Sequence, residues 1–180
     1  AYGGPIAGRM RLLLDVIAEV RAALGPRIPI GVKLNATDQL EGGLTAEDAL
    51  EVAQALGETS VALIDISGGT YFPGAPAASD SGGAGPYFAA FATEARRRTR
   101  TPLMLTGGFK TRAQAAEVLR DGTADLIGLA RSMILAPDLP NRWRADPGWN
   151  PTFPRFASPP EGGITAWYTL RLTELGQDVP

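Results

Sequence analysis

The segment 103–133 constrains the possible fold more than any other part of the chain. It consists of a short apolar run, a Gly107-Gly108 turn, a helical stretch, a second short apolar run, and Arg131 directly afterwards. A strand–helix–strand unit of this kind is typical of a parallel sheet, because parallel neighbours need a crossover connection. The N–H groups of a glycine turn and a guanidinium beyond the next strand can converge on one anion. The segment therefore predicts a β–α unit that binds a phosphate group.

The same alternation of apolar runs and helical patterns continues along most of the chain. Four strands are predicted at 28–34, 61–67, 102–106 and 125–129, and helices at 13–24, 45–56, 86–98 and 111–120. After Pro137 the sequence is rich in Pro, Trp and Arg and is predicted to be irregular as far as an amphipathic helix at 164–175. The pattern fits either a doubly wound open sheet or part of a (β/α)8 barrel. A complete barrel needs about 200–250 residues or more, so 180 residues suffice for half of one.

Composition narrows the possible chemistry. The chain has no cysteine and no histidine, which excludes disulfides, imidazole bases and any Ser-His-Asp triad. A net charge of -2 and 44% hydrophobic residues are typical of a globular protein without a nucleic-acid partner, and the apolar runs are too short to span a membrane. We expect a cytoplasmic enzyme. Because the chain starts at Ala1 with no initiator Met, we also expect it to be a piece of a longer protein.

Lys33 is the second informative residue. It interrupts the first apolar run, and strand alternation places it opposite Val32 and Leu34. A charged amine in a buried strand is costly unless an anionic or electron-rich group faces it; the alternative is a lysine at the sheet edge whose amine reaches solvent. Gly107-Gly108 also has a second interpretation, a tight turn that only needs positive φ. Three further polar residues near strand ends are equally compatible with structural and binding roles: Asn35, Asp65 and Ser67.

Several segments, in this order, resemble the Old Yellow Enzyme-like NADH:flavin oxidoreductases over nearly the whole chain. The matching motifs are Tyr2-Gly-Gly with Arg9, Gly31-Val-Lys-Leu-Asn35, Glu41-Gly-Gly-Leu44, Ser67-Gly-Gly-Thr-Tyr71, Thr106-Gly-Gly-Phe109, Asp125-Leu-Ile-Gly-Leu-Ala-Arg131, Pro137-Asp-Leu-Pro140 and Ile164-Thr-Ala-Trp-Tyr168. The resemblance implies an FMN-binding (β/α)8 barrel, of which this chain is the C-terminal half with strands five to eight. Residues 1–145 are then the half-barrel, and residues 146–180 an irregular segment with a C-terminal helix.

The resemblance also implies a cofactor site. Lys33 corresponds to the basic residue that faces flavin N1 and the C2 carbonyl, where a cation stabilises the reduced flavin. The FMN phosphate site corresponds to Gly107, Gly108, Ala130 and Arg131, although the family usually has Gly where Ala130 stands. NADH or NADPH is the implied reductant, and the implied substrate is an electron-poor alkene such as an α,β-unsaturated carbonyl. Tyr71 is a candidate for lining the substrate pocket.

No catalytic residue is assigned, because the family's substrate-anchoring His pair (or His-Asn pair) and its usual proton-donating Tyr lie in the first half of its barrel. The expected partners are FMN, a small unsaturated substrate and the missing N-terminal half-barrel, with self-association through the open apolar face; no metal is expected. We expect the isolated chain to be inactive. The alternative is a non-catalytic half-barrel that binds phosphate or stabilises an assembly.

Overall fold

A computed structural model describes residues 2–68, 85–156 and 160–177. The elements lie in the order α1 (Ile6–Arg9), α2 (Arg11–Leu24), β1 (Ile30–Asn35), α3 (Ala46–Gly57), β2 (Val61–Ser67), α4 (Ala89–Arg98), β3 (Leu103–Thr106), α5 (Arg112–Arg120), β4 (Leu126–Gly128), α6 (Arg131–Leu135), α7 (Leu139–Ala145) and α8 (Gly163–Gln177). The predicted alternation of strands and helices is confirmed.

The four strands form one parallel sheet in the order β1-β2-β3-β4. A doubly wound sheet reverses its strand order at a switch point, whereas here each strand lies beside its neighbour in sequence. With right-handed crossovers, a sequential order places every connecting helix on the same face. The topology therefore favours the predicted half-barrel over the open doubly wound sheet.

Among the described residues, helices cover one face of the sheet, and the other face is open. Side chains on the covered face are fully buried, among them Ile64, Ile66, Leu103 and Leu105. Side chains on the open face alternate with them, and the register there aligns Lys33 with Asp65 on the next strand. In a closed barrel the open face becomes the interior.

Two helices begin where their capping residues predict. Thr45 accepts a hydrogen bond from the N–H of Asp48, and the Asp48 side chain accepts one from the N–H of Thr45, which forms a capping box at the start of α3. Thr111 and Gln114 form the same arrangement at the start of α5. Both starts depend on residues three apart, so local sequence is sufficient to locate them.

The stretch after Pro137 contains a helix that the sequence analysis missed. The structure places α7 at Leu139–Ala145, with Pro140 in its first turn, where the missing N–H of proline costs nothing. Asp138 also accepts a hydrogen bond from Arg142 one turn later, at 2.7 Å. The prediction of an irregular segment is wrong here, because a proline in the first turn is compatible with a helix.

Helix α2 carries a different apolar face from the one predicted. Helical spacing predicts an apolar face of Leu13, Ile17, Val20 and Leu24. Ile17 is buried, whereas Val20 and Leu24 are exposed. Together with Leu12 and Val16 these two form an exposed apolar stripe at intervals of four residues. Among the described helices, none is both long enough and apolar enough to cross a bilayer.

Candidate functional site at the carboxyl ends of the strands

Three polar side chains form a row across the open face near the carboxyl ends of β1, β2 and β3. The Lys33 Nζ lies 3.7 Å from Asp65 Oδ2, and the Thr106 hydroxyl donates a 2.6 Å hydrogen bond to Asp65 Oδ1. Parallel register produces the row, because Lys33 is aligned with Asp65 and Asp65 with Met104, two residues before Thr106. A cation and a carboxylate are thus held on one face at the edge where such sheets bind ligands.

Lys33 is more exposed than the sequence suggested. Val32 and Leu34 do point to the opposite side, and Leu34 is buried as predicted. The Lys33 side chain itself is 61% exposed, because β1 is at the edge of this sheet and the open face has no covering layer among the described residues. The exposed amine agrees with the alternative of a lysine at the sheet edge, and an anionic neighbour is also present as Asp65.

The Gly107-Gly108 turn follows β3 directly, and both glycines have positive φ, 111° and 84°. A Cβ at Gly108 would collide with the backbone carbonyl of Gly85 and lie 3.0 Å from the Cα of Pro86. Glycine at this position is therefore required by the protein's own backbone, as the tight-turn interpretation predicts. That requirement leaves open the binding role of the turn's N–H groups.

The N–H groups at the start of α5 already have hydrogen-bond acceptors within the protein. The Gln114 side chain accepts hydrogen bonds from the N–H groups of Lys110 and Thr111, at 2.9 and 3.1 Å, and Asn150 accepts one from Arg112 at 2.8 Å. These N–H groups therefore do not serve as anion donors. The turn before it is different: within residues 2–68, 85–156 and 160–177, no hydrogen bond from the N–H of Gly107, Gly108 or Ala130 is found.

The end of β4 lies against the glycine turn. Thr106 is aligned with Gly128, and a Cβ at Gly128 would collide with the Thr106 hydroxyl, so only glycine allows this approach. One turn further on, the buried Ser132 donates a 3.1 Å hydrogen bond to the carbonyl of Phe109. The structure thus brings together the two segments that the sequence predicted to share one anion.

Arg131 begins α6 and lies among aromatic hydroxyl groups. Its Nη2 donates to the Tyr87 hydroxyl at 3.4 Å, and the Tyr87 N–H donates to the Gly107 carbonyl. Burial raises the pKa of Tyr168 on α8, and the positive charge of nearby Arg131 opposes that rise. Ala130 is exposed beside it. The guanidinium therefore lies on the same side of the sheet as the glycine turn.

Two of the remaining site candidates have structural contacts, and a third lies outside the residues that the structure describes. Asn35 donates a 3.2 Å hydrogen bond to Asp38, and Ser67 is buried with its carbonyl accepting from Ala36. Tyr71 lies outside the described residues. Sequence reasoning missed four residues at this edge, Tyr87, Thr106, Ser132 and Asn150, because their roles depend on contacts between segments distant in sequence.

The donor set of this edge fits an anionic ligand better than a metal. It offers an ammonium, a guanidinium and backbone N–H groups, which are the usual ligands of phosphate. Among the described residues there is no group of three acidic, His or Cys side chains that could hold a metal ion.

Comparison with known proteins shows which family this chain is similar to. A family model described as NADH:flavin oxidoreductase / NADH oxidase family matches residues 1–146. The chain is 33% identical over 141 residues to a metal reductase of Desulforamulus reducens, covering 78% of this chain and 21% of the relative. It is also 33% identical over 140 residues to an NADPH dehydrogenase of Halalkalibacterium halodurans, covering 78% of this chain and 39% of the relative.

Solved structures agree with the sequence comparison. The old yellow enzyme homologue from Zymomonas mobilis superposes with a TM-score of 0.63 at 26% identity, covering 83% of this chain and 40% of that one. Morphinone reductase in complex with tetrahydroNAD superposes with a TM-score of 0.59 at 27% identity, covering 85% and 38%. These are (β/α)8 barrel enzymes matched over part of their length, which confirms the half-barrel. The chain spans less than half the length of each of these relatives and structures.

Proposed function

The chain belongs to the NADH:flavin oxidoreductase / NADH oxidase family, whose members use FMN with NADH or NADPH as reductant, and we propose that it holds the FMN of such an enzyme. Bound FMN would supply the chemistry of hydride transfer from NAD(P)H to an electron-poor alkene such as an α,β-unsaturated carbonyl. The chain's own contribution is to bind and orient the cofactor.

One observation carries the proposal: a lysine and a glycine-lined anion cradle lie at the same edge of one parallel sheet. The cradle joins the Gly107-Gly108 turn to the end of β4 through the Ser132–Phe109 hydrogen bond. Lys33 stands two strands away from that turn, on the open face. An extended ligand with phosphate at one end and an electron-accepting ring at the other needs anion donors and a cation separated in this way.

Each residue then has a defined task. The N–H groups of Gly107, Gly108 and Ala130 and the guanidinium of Arg131 hold the phosphate of FMN, since charge-assisted hydrogen bonds to phosphate are strong. Lys33 supplies positive charge beside the ring, which favours the reduced, more negative form. Ala130 is exposed, and no hydrogen bond from its N–H is found among the described residues.

Catalysis needs the other half of the barrel. Strands β1 and β4 each have a single neighbour in the described sheet, and α2 exposes the apolar stripe Leu12, Val16, Val20 and Leu24. Four further β/α units would pair both edge strands and cover that stripe. We propose that such an N-terminal half completes the barrel, and that the 180 residues alone do not reduce alkenes.

The test is to co-express the chain with the N-terminal half of a related NADPH dehydrogenase and to record the flavin absorbance of the purified complex. We expect a yellow complex with FMN that is bleached by NADH or NADPH. Arg131→Met should reduce the retained flavin, whereas Arg120→Met, an exposed arginine at the other end of α5, should not.

A complex that assembles but stays colourless with excess FMN would overturn the flavin proposal. If that complex still bound inorganic phosphate, the chain would instead be a non-catalytic phosphate-binding half-barrel.

A further inference from the structure

The row formed by Lys33, Asp65 and Thr106 contains two unequal contacts. The Thr106 hydroxyl donates to Asp65 Oδ1 at 2.6 Å, which is a short, charge-assisted hydrogen bond. The Lys33 Nζ is 3.7 Å from Asp65 Oδ2, which is too long for a hydrogen bond. Thr106 therefore orients the Asp65 carboxylate through a hydrogen bond, whereas Lys33 interacts with that carboxylate through its charge without a hydrogen bond.

Thr106 is itself held in place by the next strand. Its hydroxyl occupies the space that a side chain at Gly128 would need, and the register aligns these two residues directly. The Asp65 side chain is only 17% exposed, so the carboxylate has few water molecules to exchange with. The orientation of the carboxylate thus depends on the Thr106 hydrogen bond.

We propose that Thr106 and Asp65 are positioning residues for Lys33. Thr106 holds the carboxylate so that it moderates the charge of the ammonium without taking up its N–H donors, which leaves those donors for the cofactor ring. This inference rests on the proposed FMN site. Asp65 and Thr106 then control the midpoint potential of the flavin. Removing the Thr106 hydroxyl should lower this potential, and removing the Asp65 charge should raise it.

Removing the hydroxyl is the sharper experiment. In the holoprotein, Thr106→Val keeps the shape of the side chain but releases the carboxylate, which then pairs directly with Lys33 and neutralises it. We expect the ratio of reduced to oxidised flavin at a fixed potential to fall about tenfold, a shift of about 30 mV for a two-electron couple. Thr106→Ser keeps the hydroxyl and should stay within about twofold of wild type.

Removing the charge should act the other way. Asp65→Asn leaves Lys33 without its counter-charge, so the reduced flavin gains stability and the ratio should rise about tenfold. Asp125→Asn removes an equivalent carboxylate at the amino end of the sheet, where Asp125 pairs with Arg96, and should leave the potential unchanged.

If Thr106 acts by positioning Asp65 beside Lys33, the shift in potential caused by Thr106→Val must depend on Lys33. A general structural effect would not depend on it. In a Lys33→Met background, Thr106→Val should no longer shift the potential. Equal potentials for Thr106→Val and Thr106→Ser, a shift that persists without Lys33, or no rise with Asp65→Asn would each overturn the inference.

A second measurement does not require FMN. A crystal structure of the Thr106→Val variant should show Lys33 Nζ within about 2.7–2.9 Å of an Asp65 oxygen, and an unchanged separation would refute the positioning role. If the wild-type complex fails to bind FMN, the proposed function fails, while this structure still decides whether Thr106 controls the ion pair.

Discussion

The two ends of the sheet use their polar groups differently. At the amino end, Arg21 donates hydrogen bonds to the side chain and carbonyl of Ser60 and to the carbonyls of Gly25 and Ile28, at 2.7–3.1 Å. Nearby, Asp125 accepts from the N–H of Leu103 and pairs with Arg96. These groups satisfy one another and join the starts of neighbouring strands.

At the carboxyl end, Lys33 and the glycine turn lack such close partners within the residues that the structure describes. The nearest carboxylate to Lys33 is 3.7 Å away, and in the described part of the chain the N–H groups of Gly107 and Gly108 have no acceptor. A buried or half-buried N–H group, as at Gly108 and Gly107, is costly unless a ligand accepts from it. The difference indicates that the amino end serves stability and the carboxyl end serves binding, as in barrel enzymes generally.

The largest expected effect tests whether the stability of the carboxyl end depends on the close contact between Gly108 and Gly85. Gly108→Ala places a methyl group against the Gly85 carbonyl at a positive φ, so we expect it to lower the free energy of unfolding by about 3–5 kcal/mol. Gly122→Ala is the matched control, because its φ of +71° is similar and nothing lies within 4 Å; it should cost about 1–2 kcal/mol. Urea denaturation measures both, and equal costs would show that the turn does not depend on its contact with Gly85.

Replacing one arginine at each end of the sheet by methionine compares the two ends directly. Arg21→Met loses hydrogen bonds to four acceptors and should lower the free energy of unfolding by about 2 kcal/mol without changing FMN affinity. Arg131→Met should weaken FMN binding about thirtyfold, as expected for the loss of a charged hydrogen bond worth about 2 kcal/mol. Denaturation and flavin titration are measured on both variants. The contrast between the ends fails if Arg21→Met weakens FMN binding as much as Arg131→Met does.

A smaller effect tests the connection within the cradle. Ser132→Ala removes the hydrogen bond to the Phe109 carbonyl and should cost about 1 kcal/mol of stability. Because that bond joins the glycine turn to α6, we also expect FMN affinity to fall severalfold. Thr93→Ala is the control, since Thr93 donates a similar 3.0 Å bond to the carbonyl of Ala89 within α4, away from the cradle. Unchanged FMN affinity in Ser132→Ala would show that the two segments are held together by other contacts.

The sequence located the features that depend on neighbouring residues. The bounds of β2 were predicted as the structure has them, because a largely apolar run ends just before Gly68. The capping residues Thr45 and Thr111 also mark their helices correctly, since the cap involves residues only three apart.

The features that depend on distant residues were not predictable. The row from Lys33 to Thr106 needs the register of three strands spread over more than 70 residues. The requirement for Gly108 comes from Gly85, and the occupied start of α5 comes in part from Asn150. Family resemblance supplied the cofactor and its candidate residues, and their roles stay predictions until flavin binding is measured.

The smallest expected effect concerns acid stability at the amino end. The N–H of Leu103 and then the Arg96 guanidinium hold the pKa of Asp125 below its usual value, against the opposing effect of burial. A carboxyl whose pKa is lower in the folded state stabilises the protein above its unfolded pKa of about 3.9, and this stabilisation is lost as pH falls toward the folded value. Because about half of the Asp125 side chain is exposed, its contribution should be below about 1 kcal/mol. Denaturation between pH 7 and pH 3 should therefore show a shallower acid loss of stability for Asp125→Asn than for wild type. Asp146→Asn should follow the wild-type curve, because its carboxylate accepts from the N–H of Gly148 in a surface turn. Parallel curves for all three proteins would mean that Asp125 contributes nothing to the stability of the amino end.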